Sequence, residues 1–179
     1  ANIKKLLEEK SGGGWTCLHL ACSGKLQVDS FRVLLEYLSK HADMKKILEQ
    51  KSDGGWTCLH LACINNLQVD SFRLLLEYLP KYSDIKKILE EKNNDGDNCL
   101  HFACCNKLTA DAFRLLLQYM FKHADIKKIL EEKSSDGNTC LHDACRFNPP
   151  DDSFCLLLED LSMHADTKKI LEEKNKDDN

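Results

Sequence analysis

The chain has 179 residues, with 25 Lys+Arg against 29 Asp+Glu and a formal net charge of −4. So small and negative a balance argues against nucleic-acid binding, which needs concentrated positive charge. No apolar run approaches the roughly 18 residues of a membrane helix. With 42% apolar residues, three prolines and eight glycines, the composition fits a packed domain rather than a linker-rich or disordered chain. No signal peptide opens it. It begins at Ala1 without Met, which points to an excised fragment.

An internal repeat decides the fold class. Thr16-Cys17-Leu18-His19 returns as Thr57-Cys58-Leu59-His60, Asn98-Cys99-Leu100-His101 and Thr139-Cys140-Leu141-His142, each step being 41 residues. The segment Ile3-Lys4-Lys5-Leu6-Leu7-Glu8 recurs in register from Met44, Ile85, Ile126 and Thr167. The chain therefore reads as a single repeat domain. Residues 1–10 are the tail of a preceding unit, 11–51, 52–92 and 93–133 are three units, and 134–174 is a fourth, cap-like unit. Residues 175–179 are a polar tail.

Each unit predicts three helical segments. The first opens at Thr16, Thr57, Asn98 or Thr139, all residue types that cap helix N-termini. Leu18, Ala21 and Cys22 then share one helix face, and Asn65 and Asn106 mark the stop. In the second segment Phe72, Leu75, Leu76 and Leu79 follow helical spacing, with Phe31, Phe113 and Phe154 in the matching places. Val33, Leu74 and Leu115 widen the stripe, as expected of a helix packed on both sides. Pro149-Pro150 falls near the first turn of this helix in the last unit, and Pro80 is expected to end it in the second. The third segment is short. Asn2, Asp43, Asp84, Asp125 and Asp166 cap it, and Asp95-Gly96 and Asp136-Gly137 are closing turns.

One such unit cannot bury its own apolar faces, so neighbours must stack. The expected fold is an all-α solenoid of two long helices and one short helix per unit, with little or no β-hairpin. Down the columns, the last unit turns polar. Leu20, Leu61 and Phe102 give way to Asp143, Val28, Val69 and Ala110 to Asp151, Tyr37, Tyr78 and Tyr119 to Asp160, and Met44, Ile85 and Ile126 to Thr167. That pattern predicts a polar outer face on a terminal cap. The first unit lacks it, which predicts that the natural protein continues upstream.

Gly55-Trp56-Thr57-Cys58-Leu59-His60-Leu61-Ala62-Cys63, followed by Leu74-Leu75-Leu76-Glu77, resembles the ankyrin repeat, whose signature runs Gly-x-Thr-Pro-Leu-His-x-Ala before a Leu-rich second helix. The resemblance recurs in all four units. Cysteine stands where that family has proline, and the period is 41 residues rather than about 33. The excess lies after the second helix, where Asp84-Ile85-Lys86-Lys87-Ile88-Leu89 takes the place of the hairpin loop. The resemblance implies an extended ankyrin-like repeat that binds another protein through its concave surface and loops, without catalysis.

The chemistry-bearing residues are repeated columns. Cys17-x-His19-x-x-Cys22 does not have zinc-ligand spacing, and no metal or other cofactor is expected. Cys22, Cys63, Cys104 and Cys145 read as small core residues. Cysteines in one column lie about 8–10 Å apart in packed helices, too far for a bridge. Ten free thiols point to a reducing compartment, hence the cytoplasm. His19, His60, His101 and His142 each sit three residues after Thr16, Thr57, Asn98 and Thr139. From there an imidazole reaches loop backbone in its own unit or the next.

The pairs Lys4-Lys5, Lys45-Lys46, Lys86-Lys87, Lys127-Lys128 and Lys168-Lys169 precede Glu columns such as Glu90-Glu91, an order that opposes the helix dipole. Cross-unit pairing, an acidic partner and a solvated face remain open readings. Variation concentrates at the end of the first helix. Ser23-Gly24-Lys25 becomes Ile64-Asn65-Asn66, Cys105-Asn106-Lys107 and Arg146-Phe147-Asn148, while Trp15 and Trp56 become Asp97 and Asn138. The candidate partner-binding set is Trp15, Trp56, Ile64, Phe102, Cys105 and Arg146, since Trp and Arg are favoured interface anchors. Packing of both tryptophans between units is the competing reading. The expected function is a non-catalytic protein-interaction module, monomeric. The alternative is a structural array built by end-to-end stacking.

Overall fold

In the computed structural model each unit folds as three helices joined by tight turns. The structure describes residues 2–24, 26–106, 108–164, 166–172 and 174–176. The sequence readings of Lys25, Lys107, the Thr167 side chain and tail residues 177–179 lie outside them. Helix α1 (Ile3–Glu8) is the third helix of the partial first unit. The full units contribute α2 (Cys17–Ser23), α3 (Val28–His41) and α4 (Met44–Glu49), then α5 (Cys58–Ile64), α6 (Val69–Tyr82) and α7 (Ile85–Leu89). They continue with α8 (Cys99–Cys105), α9 (Ala110–His123) and α10 (Ile126–Glu131), and with α11 (Cys140–Phe147), α12 (Asp151–His164) and α13 (Thr167–Glu172). The described residues contain no strand.

Two details differ from the sequence pattern. The first helix is short, seven or eight residues against fourteen for the second, so each unit has one long helix and two short ones. Its caps set that length. The helix starts only after Thr16, Thr57, Asn98 or Thr139, and it stops at Gly24, Asn65, Asn106 or Asn148. Nor does Pro80 end α6, which continues past it to Tyr82. A single missing N–H near the C-terminus is tolerated because Leu75, Leu76 and Leu79 are fully buried and hold the helix to the length of its neighbours.

The units stack in register. First helices form one row, α2 on α5, α5 on α8 and α8 on α11, and second helices another, α3 on α6, α6 on α9 and α9 on α12. Each third helix leans on the second helix of the following unit: α1 on α3, α4 on α6, α7 on α9 and α10 on α12. Between the rows lie Leu18, Leu59 and Leu100 with Phe31, Phe72 and Phe113, all essentially inaccessible. Burial of each such side chain contributes about 1.5–3 kcal/mol. The core thus belongs to the interfaces rather than to any one unit.

The turn before each first helix touches the next turn along the stack. Asp53 N–H donates to Gly13 O, Asn94 N–H to Gly54 O, Ser135 N–H to Asp95 O and Lys176 N–H to Asp136 O. A single backbone hydrogen bond per interface is what remains of a hairpin. Gly55 has φ +78°, and a Cβ there would lie 2.8 Å from Asn94 N, so both backbone sign and contact demand glycine.

The Lys–Glu columns join successive units. Glu8 accepts from the Asp43 N–H at 3.0 Å and from Lys46 Nζ at 2.8 Å, and Glu90 does the same for Asp125 N–H at 3.1 Å and Lys128 at 2.9 Å. Lys51 also pairs with Glu91 and Lys92 with Glu132, while Lys10, Lys51 and Lys92 donate to the carbonyls of Lys51, Lys92 and Lys133 one period on. Of the open readings, cross-unit pairing describes these groups.

The two ends differ from the middle. At the N-terminal end Leu6, Leu20 and Val33 are 62%, 53% and 62% exposed, whereas their counterparts Ile47 and Leu61 one unit on are buried. In the last unit Asp151 is exposed, but Asp143 does not face outward. It is 5% exposed, because its side of α11 packs against unit three. Cys145, read as a core residue, is exposed, since no further unit covers it.

Candidate functional site

The row of first helices carries the repeated histidines. Thr16 Oγ1 accepts from the His19 N–H at 3.4 Å, and His19 Nδ1 accepts from the Thr16 N–H at 3.2 Å, closing a capping box. With Nδ1 accepting, the proton is assigned to Nε2. Nε2 then donates to the Trp56 carbonyl in the next unit at 3.0 Å. His60 repeats the bracket on Thr57 and donates to Glu91 O at 3.1 Å, and His101 on Asn98 donates to Asn138 O at 3.2 Å. His142 holds Thr139 in the same box. Burial pushes His60 and His101 down to about 4, so both are neutral near pH 7. Each of these imidazoles fixes a helix start; His19 and His101 also tie it to the neighbouring unit, whereas His60 reaches the segment that follows α7 in its own unit.

All ten cysteines are free thiols. Those of the first column donate to carbonyls at the end of the preceding third helix: Cys17 to Leu7 O, Cys58 to Leu48 O, Cys99 to Leu89 O and Cys140 to Leu130 O, at 3.6–3.9 Å. Proline has no donor for that contact. Comparing like with like along the columns hides one proximity. The second-column thiol of one unit meets the first-column thiol of the next, Cys22 with Cys58 and Cys104 with Cys140.

The structure spreads the candidate partner-binding residues along this same row. Trp15 and Trp56 are half-buried, and each stands edge-on to its own unit's histidine, with ring centroids 6.0 Å from His19 and 6.3 Å from His60. Trp56 also stacks on Phe102 of the following unit at 4.4 Å, leaving Phe102 6% exposed. Ile64 and Cys105 are half-buried, and Arg146 is exposed, its guanidinium 5.5 Å from the Phe147 ring. Trp15, Trp56 and the exposed Leu20 make one end of the row aromatic and apolar.

The other end is acidic. Asp97 and Asp143 occupy, one period further on, the positions of the stacked Trp56 and Phe102. With His101 they bring three ligand-type atoms within 4.8 Å of one another. Burial, then the nearby charges of Asp95 and Asp136, push Asp97 up to about 6. Burial and the charge of Asp97 push Asp143 up to about 7, although a hydrogen bond to Cys105 and the charge of Arg146 pull the other way. The sequence search for ligands followed repeated cysteine–histidine spacings and so missed this group, whose members come from two units. The available signal was that two columns change from apolar to acidic at positions one stacking step apart.

A family model described as ankyrin repeats, three copies, matches residues 1–88 and again 81–169. No match to a curated protein was found. Members of that family are generally protein–protein interaction modules and typically non-catalytic. The capped first helix, its bracketing histidine and the in-register stack agree with that match over nearly the whole length: the chain belongs to the ankyrin-repeat family.

Proposed function

We propose that this chain is a non-catalytic recognition module built from an extended, 41-residue form of the ankyrin repeat, and that its protein partner lies along the row of first helices. One observation carries the reading. Trp56 is clamped between His60 and Phe102 yet remains partly open to solvent, with Trp15 equivalently placed one unit before it. An aromatic ring already fixed in position loses little entropy when a partner covers it, which is what makes such rings good anchors. Ile64, Cys105 and Arg146 vary in the same row and supply specificity. Ten unbridged thiols favour a reducing compartment.

Affinity capture from source-cell lysate with three immobilised forms tests the surface: wild type, the Trp15→Ala/Trp56→Ala double variant, and Arg73→Ala on α6 as a control. Partners kept by the control and lost by the double variant, with thermal stability retained, support the reading. Undiminished capture by the double variant removes it.

A second reading, an array built end to end, is favoured by the apolar N-terminal face of Leu6, Leu20 and Val33. Sedimentation that grows with concentration and is abolished by Val33→Glu supports it. A monomer at all concentrations excludes it.

A further inference from the structure

We propose that Asp97 and Asp143, with His101, bind one divalent transition-metal ion of the zinc type where units three and four meet. The argument starts from burial. Asp143 is 5% exposed and His101 fully buried, and among the described residues no ion pair or N–H donor meets the Asp143 carboxylate. The thiol of Cys105 is its hydrogen-bonding neighbour. Two carboxylates so placed repel each other unless a proton or a cation lies between them.

The repeat itself provides the internal comparison. One period earlier the same two positions hold Trp56 on Phe102, a stack that needs no ion. An apolar pair is replaced on both sides by acids; Arg146, which takes the place of Cys105 in the last unit, and Lys92 act on them only through charge, and among the described residues neither forms an ion pair with Asp97 or Asp143. Asp95 and Asp136 close by make the local potential more negative still. Ligand atoms within 4.8 Å need to draw together by only about 1 Å to reach one ion at metal–ligand distances near 2.0–2.2 Å. A set of carboxylate and imidazole ligands suits zinc-type ions better than calcium, which takes six to eight oxygens. The carboxylates anchor the ion. His101 completes the set through Nε2: its proton shifts to Nδ1, where Asn98 Oδ1 at 2.8 Å accepts it, and the 3.2 Å hydrogen bond to Asn138 O gives way to a metal bond, so occupancy also retunes the contact between the two units.

The test uses Co2+ as probe, titrated calorimetrically and by visible absorption into the chelator-treated chain near neutral pH. One equivalent per chain is expected. Asp143→Asn and Asp97→Asn, near-isosteric and each checked for folding without metal, should each weaken it by more than the roughly 10–100-fold that outer partners of a metal site contribute. Added Zn2+ should raise the thermal midpoint of wild type and not of either variant. Cys145→Ser/Cys155→Ser, which removes two exposed thiols, should bind as wild type does. Absence of saturable uptake, uptake unchanged in the Asp variants, or uptake lost with the exposed thiols overturns the proposal.

Discussion

A histidine three residues after a threonine or asparagine cap joins local and long-range order in one side chain. Nδ1 closes the capping box at the helix start, and the proton on Nε2 reaches a carbonyl distant in sequence, in the next unit for His19 and His101 and beyond α7 of the same unit for His60. That arrangement requires a neutral ring. The His60 pKa falls from 6.5 to about 4, burial being the chief cause. The unfolded chain therefore takes up this proton first. The associated stability is present above about pH 6.5 and is lost as pH falls toward 4, by on the order of 3 kcal/mol. NMR titration of the imidazole protons should show His60 neutral down to about pH 4 while the chain stays folded. Titration near 6.5 would refute the assignment. Sequence spacing located these residues and their class of bond. For His19 and His101 the partner carbonyl depends on how far one unit is rotated over the next.

At the scale of the element, the third helix explains why lysine precedes glutamate. Within its own helix that order opposes the dipole. Across the interface Glu90 stands at the N-terminus of α10, accepts from the Asp125 N–H and pairs with Lys128, so the carboxylate favours the next helix rather than its own. Burial raises the Glu90 pKa, but the Lys128 and Asp125 hydrogen bonds outweigh it and leave the carboxyl below its ordinary value. Glu90→Ala should lower stability by about 1 kcal/mol in urea unfolding. Part of that loss should persist in high salt, because the backbone cap is not screened as the ion pair is. A loss that salt abolishes completely would leave only the ion pair. The sequence located the caps of the first helix, Thr57 and Asn65 in the second unit, and those caps leave room for only seven residues, so the helix is short rather than long.

For the whole molecule, stability resides in contacts between units, so position in the stack decides what a residue contributes. Phe72 is fully buried between rows with a unit on each side, whereas its counterpart Phe154 in the last full unit is only half-buried. Phe72→Ala should cost about 3–5 kcal/mol. Phe154→Ala should cost distinctly less, read from paired thermal or urea melts. Equal losses would mean that the units do not behave as a line of neighbours. The polarity of the last unit was visible in four columns, but only the stack shows that Asp143 turns inward while Asp151 faces water.

The sequence by itself determined the period, the caps, the all-helical class and the family, because these follow from local propensity and from repetition, and both are written in one dimension. It also located the positions that vary. Only the tertiary structure decided what those positions meet. The rotation and offset between units set Trp56 on Phe102, Cys22 beside Cys58, and Asp97 opposite Asp143. Each of these pairs joins different columns of different units, and the geometry of stacking, which no single column records, brings them within reach.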